Sequence, residues 1–121
     1  MGVDYHANFG LAIKVVLSDK LREDIFKNEE SEYYSGGDIE GFLDYFIGDS
    51  PFSEEIGMFQ VGASNYTGKE NDYYIYLIKG NHPLLSPNIN VLAPEVKTYL
   101  VENGITTEEE GFCIQGGLLI D

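Results

Sequence analysis

Basic residues are scarce: seven Lys and Arg stand against 21 Asp and Glu in 121 residues, a formal net charge of −14. Such a surplus repels phosphate backbones and anionic lipid, so direct nucleic-acid binding and membrane binding are excluded from the expected functions. Cysteine is rarer still. Cys113 stands alone, so no intramolecular disulfide can form, and a reducing cytoplasm is the expected compartment. No window approaches a run of about 18 apolar residues, and the opening MGVDYHANFG has neither the basic nor the apolar region of a signal peptide. Recognisable motifs are missing as well. The nucleophile elbow, the P-loop, HExxH, the EF-hand loop and the dinucleotide fingerprint do not occur, so no catalytic residue, cofactor or metal is expected. Tryptophan is absent, but nine Tyr and seven Phe with 43% hydrophobic residues describe a chain able to build a core. The length suits one domain, spanning residues 1–121.

What is present in excess is local acidity. Between Asn28 and Gly68 there is no Lys or Arg, while Glu29, Glu30, Glu32, Asp38, Glu40, Asp44, Asp49, Glu54 and Glu55 all fall there. Charge of one sign over such a span has to face water, a cation or a basic partner. The carboxylates lack the alternating spacing of a calcium loop, which leaves the partner or the solvent.

Periodicity supplies the elements. Val3, Tyr5, Ala7, Phe9, Leu11, Ile13, Val15 and Leu17 alternate with mostly polar or small residues, the period of a strand with one face in the core. Straight, that strand would run to about 50 Å, so a bulge or bend is expected near Asn8 to Gly10, a tight hairpin being the alternative. Ser18 is placed to cap a short helix from Asp19 to Lys27, and Asp38 a second one in which Ile39, Phe42, Leu43, Phe46 and Ile47 form one stripe, with Gly48 as its left-handed stop. Strands are expected over Ile56 to Ser64 and Asp72 to Lys79, joined by a loop. A Pro-bearing loop follows, then a helix opening at Pro94 and stopped at Gly104, and a last strand over Gly111 to Ile120. In that strand Gly116-Gly117 is read as a bulge or a turn, and Cys113 as a small buried thiol. The order βαββαβ matches a ferredoxin-like split βαβ unit: an α+β domain whose antiparallel sheet carries its helices on one face.

Two surfaces follow. The first is the acidic one, with Glu29, Glu30, Glu32, Asp38, Glu40 and Asp44 as carboxylates and Tyr33 and Tyr34 as aromatic anchors. Glu40 and Asp44, one helical turn apart at about 6 Å, approximate part of the charge spacing of a nucleic-acid backbone. The partner expected is a basic protein, including one that itself binds nucleic acid. In charge and size the chain resembles the small acidic inhibitors that phages and mobile elements direct against DNA-binding or defence proteins, a likeness of general character carried by no motif. The second surface is the open sheet face, where Asp4 and His6 would meet Tyr74 and Tyr76 and form the site of a dimeric small-molecule-binding protein or small enzyme, or a homodimer seam. A subunit of a larger assembly is the third class, and a solvated acidic flank with no partner explains the charge equally well.

Overall fold

The computed structural model of the chain describes residues 5–78 and 89–120. Asp4, His82 and the stretch with Pro83 and Pro87 that was expected to be a loop lie outside them. The elements run β1 (Tyr5–Lys14), α1 (Asp19–Phe26), α2 (Ile39–Asp49), β2 (Ile56–Val61), α3 (Ser64–Thr67), β3 (Asp72–Leu77), α4 (Ile89–Glu102) and β4 (Cys113–Ile120). The strands form one antiparallel sheet in the order β2-β3-β1-β4, so the domain is α+β.

Register decides which residues make the core. Ile13 opposes Ile75, Ile75 opposes Met58, and Leu77 opposes Ile56, which puts these side chains on one face of the sheet. Against that face pack Leu21 and Ile25 of α1, the α2 stripe Ile39, Phe42, Leu43, Phe46 and Ile47, and Val96 and Leu100 of α4. Each helix brings residues three or four apart, the spacing that keeps one stripe facing the sheet.

The helix ends follow local chemistry. Ser18 accepts the Leu21 N–H at 3.2 Å and Asp38 accepts that of Gly41 at 2.9 Å, as N-cap side chains do. Gly48 does not stop α2. The helix continues to Asp49 and ends at Ser50, held extended at ψ 158° because it precedes Pro51. The last helix likewise begins at Ile89, with Pro94 inside it. A proline there costs one backbone bond, which the burial of Leu92 and Val96 on either side of it offsets. At the other end Gly104 takes φ +74°, with Ile105 N–H on Leu100 O and Gly104 N–H on Val101 O, the paired bonds of a Schellman stop.

The first strand is single. Its pairing with β4 runs unbroken from Tyr5–Ile120 to Ala12–Cys113, so neither a hairpin near Asn8 nor a bulge or turn at Gly116-Gly117 interrupts it. It bends instead. Lys14 pairs with Tyr74 and Gln60 with Tyr73, so those two residues share one end of the sheet. In a straight strand Asn8 would be about 20 Å from that end, yet its side-chain amide donates to Gln60 O at 3.0 Å. Beside it Gly62 N–H donates to Leu118 O and Ile120 N–H to Gly62 O. The β1–β4 ribbon therefore curls back across the face opposite the helices and joins the outer edge of β2. Odd-numbered residues of β1 were expected to face the helices throughout. Leu11 and Ile13 do, but beyond the bend Tyr5, Ala7 and Phe9 face outward and are exposed.

Candidate functional site

The acidic stretch begins where α1 ends. Lys27 and Asn28 N–H both bond Glu23 O, and Ser31, Tyr33 and Tyr34 then turn through short-range bonds to Asn28 O, Ser31 Oγ and Ser31 O. Ser35 and Gly37 N–H return to Ile25 O. Gly36 and Gly37, at φ 65° and 93°, make that return possible, and Asp38 opens α2 directly afterwards. The segment is thus a chain of turns pinned to the last turn of α1.

On this frame Glu29, Glu30, Glu32, Asp38, Glu40 and Asp44 are all exposed. Three of them have local duties: Asp38 caps α2, Glu40 accepts the Gln60 side-chain amide at 3.1 Å, and Glu32 shares a hydrogen bond with Tyr33. Among the described residues Lys14 pairs with Asp72 and Arg22 with Glu70, and neither ion pair involves a carboxylate of the 28–68 stretch. The carboxylates of the loop and of the outer face of α2 are therefore left to solvent or to a partner.

The aromatic anchors divide. Tyr33 turns inward, edge-on to Phe42 with ring centroids 5.5 Å apart, at the head of a column that continues through Phe46 and Tyr99 to Phe52. Tyr34 is 39% exposed. The residue that sequence reasoning missed is Tyr45, 56% exposed on α2 beside Asp44. Its signal was available, since the stripe of Ile39, Phe42, Leu43, Phe46 and Ile47 leaves position 45 on the outer face of the helix.

Two hydroxyls feel this charge. Tyr33 is held above the usual phenol range, first by burial, then by its hydrogen bond with Glu32 and the charge of that carboxylate. Tyr73 is raised first by burial and then by the charges of Glu40, Glu70 and Asp38. A raised folded-state pKa favours the protonated phenol in the fold. The stabilisation is complete below the ordinary value of 10.0 and is lost as pH rises through the folded-state values. In an alkaline titration followed by tyrosinate absorbance, Tyr33 and Tyr73 should ionise above the ordinary phenol value of 10.0. Tyr73→Phe should delete one late-titrating group, and Glu40→Gln should shift Tyr73 back toward its ordinary range. Indifference of the late phase to Glu40→Gln would detach Tyr73 from the α2 charges.

The open sheet face is arranged differently from the expectation. Tyr74 and Tyr76 are half-buried and pack with Phe59 of β2, at centroid distances of 5.2 Å and 5.8 Å. Ala12 beside them is fully buried. The ribbon comes down over this side, where a β-carbon on Gly117 would stand 2.8 Å from Val61 Cγ1. His6 is exposed and pairs with Leu119, well along the ribbon from Ala12 and its partner Tyr76. Two clefts among the described residues are walled, one by Lys14, Arg22, Glu70 and Asp72, and another by Pro51, Phe52, Pro94 and Tyr99 with Glu95 and Glu102. Neither includes Tyr74 or Tyr76. Cys113 is exposed, not buried, because it opens β4, the last strand of the sheet order.

Among the described residues no group of three His, Cys, Asp or Glu could hold a metal ion, and no helix is long and apolar enough to cross a membrane. The Glu108 to Glu110 patch forms a turn, with Glu110 N–H on Thr107 O and Lys97 Nζ donating to Glu108 O at 2.8 Å. No family model, curated protein or solved structure matches the chain.

Proposed function

We propose that this domain is a non-enzymatic interaction module whose acidic face, formed by the 29–32 turns and the outer side of α2, binds a basic protein. The observation that supports the reading is the set of exposed carboxylates without an ion pair among the described residues, interleaved with the exposed rings of Tyr34 and Tyr45. An aromatic ring among unpaired charges offers both the desolvated anchor and the steering field that interfaces with basic partners use. A partner that itself binds nucleic acid would then be blocked by occupation of its basic groove. The single cysteine favours a cytoplasmic setting. The sheet order, with β3 between β1 and β2 and helices in the β1–β2 and β3–β4 connections, supports reading the fold as a ferredoxin-like βαββαβ variant enlarged by α3 and a second helix before β2.

The test is capture from cell extract at low and high ionic strength, with duplex DNA as competitor and retained proteins identified by mass. A basic protein held at low salt, released at high salt and displaced by DNA is the expected outcome. Substituting Glu29, Glu30 and Glu32 with Gln, together with Tyr45→Ala, should weaken that capture about tenfold or more while leaving circular dichroism unchanged. Retention that ignores DNA would remove the mimicry, and retention that ignores the substitutions would remove this face.

A further inference from the structure

The bend of the β1–β4 ribbon exposes a surface unlike the rest of the molecule. Residues Tyr5–Ile13 and Cys113–Ile120 contain no Asp, Glu, Lys or Arg in a chain of formal charge −14. On the outer side of the ribbon Tyr5 is 66% exposed, Phe9 61%, Ile114 73% and Leu118 51%. Large apolar side chains left to water at this density mark a contact surface.

We infer that this outer face is a homodimer interface, in which two ribbons pack face to face about a two-fold axis. Three observations argue for a second copy as the occupant. The first is charge. Two molecules of −14 repel wherever carboxylates meet, and a charge-free ribbon is where identical copies can approach closely.

The second is shape. Phe9 lies opposite Gly116 and Leu118 opposite Ala7, so large and small residues alternate diagonally across adjacent pairs. A two-fold axis along the ribbon sets Phe9 of each copy over Gly116 of the other, and Leu118 over Ala7. Phe9 and Leu118 then each meet a hollow, while Tyr5 comes over Ile120 and Ile114 over Leu11, so the surface is self-complementary at its centre, as an isologous interface requires. The hollow at Gly116 is obligatory, because a β-carbon there would collide with Asn8 O.

The third is area. Four large side chains exposed to between half and three-quarters offer on the order of 500 Å². Ile120 and the ribbon backbone raise this toward the roughly 800 Å² per partner that stable interfaces bury. The inference is independent of the acidic face, which takes no part in it.

Sedimentation equilibrium on the purified chain tests it. The expected mass is twice 13.5 kDa. Raising salt should strengthen the association, because screening relieves the repulsion between the two copies. Phe9→Glu and Leu118→Glu should each raise the dimer dissociation constant on the order of a hundredfold, with unchanged circular dichroism because both side chains are already more than half exposed. Ala7→Leu, which fills a hollow without adding charge, should weaken the dimer as well. A wild-type chain that stays monomeric to about 100 μM would overturn the inference, as would charged variants that dimerise like the parent.

Discussion

Gly116→Ala should cost about 3 kcal/mol or more and lower the melting temperature by about 10 °C or more. The reason lies in the ladder between β1 and β4. A β-carbon built on Gly116 would clash with the carbonyl oxygen of Asn8, far inside contact distance, and stand 2.8 Å from Phe9 Cα. Both obstacles are backbone atoms of the paired strand, so neither can swing aside as a side chain would. Relief requires opening the ribbon at its bend, which also breaks the bonds that Gly62 makes to Leu118 and Ile120. Gly48→Ala is the matching control. Nothing stands within 4 Å of a β-carbon at Gly48, and the residue is helical and exposed. There alanine should raise stability by about 0.5–1 kcal/mol. Thermal unfolding followed by circular dichroism reads both, and a Gly116→Ala chain melting within about 2 °C of the parent would reject the steric account.

Phe46→Ala should be comparably damaging, at about 3–5 kcal/mol. Phe46 is buried between Phe42 and Tyr99, with centroids at 6.0 Å and 5.6 Å, and so joins α2 to α4 in the middle of the aromatic column. Its loss leaves a ring-sized cavity that two helices and the sheet cannot all close. Because domains of this size are stable by only about 5–15 kcal/mol, the substitution removes a large share of the total. Tyr45→Ala, one position away on the outer face of α2, should change stability by less than about 0.5 kcal/mol. Urea unfolding of the pair separates the two faces of one helix. The same contrast should appear in binding: Phe46→Ala would loosen the platform that carries Asp44, while Tyr45→Ala would remove a contact from an intact platform. Equal stability losses would mean that α2 is not seated as described.

The sequence was most informative where local chemistry is decisive. Asp38 caps α2, all five residues of its predicted stripe are buried, and Gly104 stops α4 with the positive φ that only glycine takes without strain. Ends were legible only when the stronger of two signals was chosen. At the end of α2, Pro51 fixed Ser50 in an extended conformation and outweighed Gly48; at the start of α4, the apolar stripe outweighed Pro94. The bend of the ribbon was half legible, since the length of the first strand demanded one near Asn8. Where the bent strand went was not, because that depends on Asn8 meeting Gln60 and Gly62 meeting Leu118, pairings with no local signature. The site followed the same division. Exposure of the loop carboxylates was readable from composition, and Tyr45 from helix phase. The inward turn of Tyr33 depended on Phe42 across the loop, a tertiary contact.

The pairing of β1 with β4 also sets the order in which the chain can fold. Gln115 Nε2 donates to Ala12 O, joining residues 103 apart, and the whole of β1 beyond its short ladder with β3 depends on that distant strand. Contacts of such high sequence separation form late, since the loop entropy is lost before the ladder returns anything. During synthesis β1 is made before β4, so the ribbon waits for the intervening residues while α1, α2 and the β2–β3 hairpin can already assemble. Until β4 arrives, an uncharged strand edge on β1 stands open beside Phe59, Tyr74 and Tyr76. With a formal charge of −14, half-folded copies repel one another during the interval when that edge is open to aggregation.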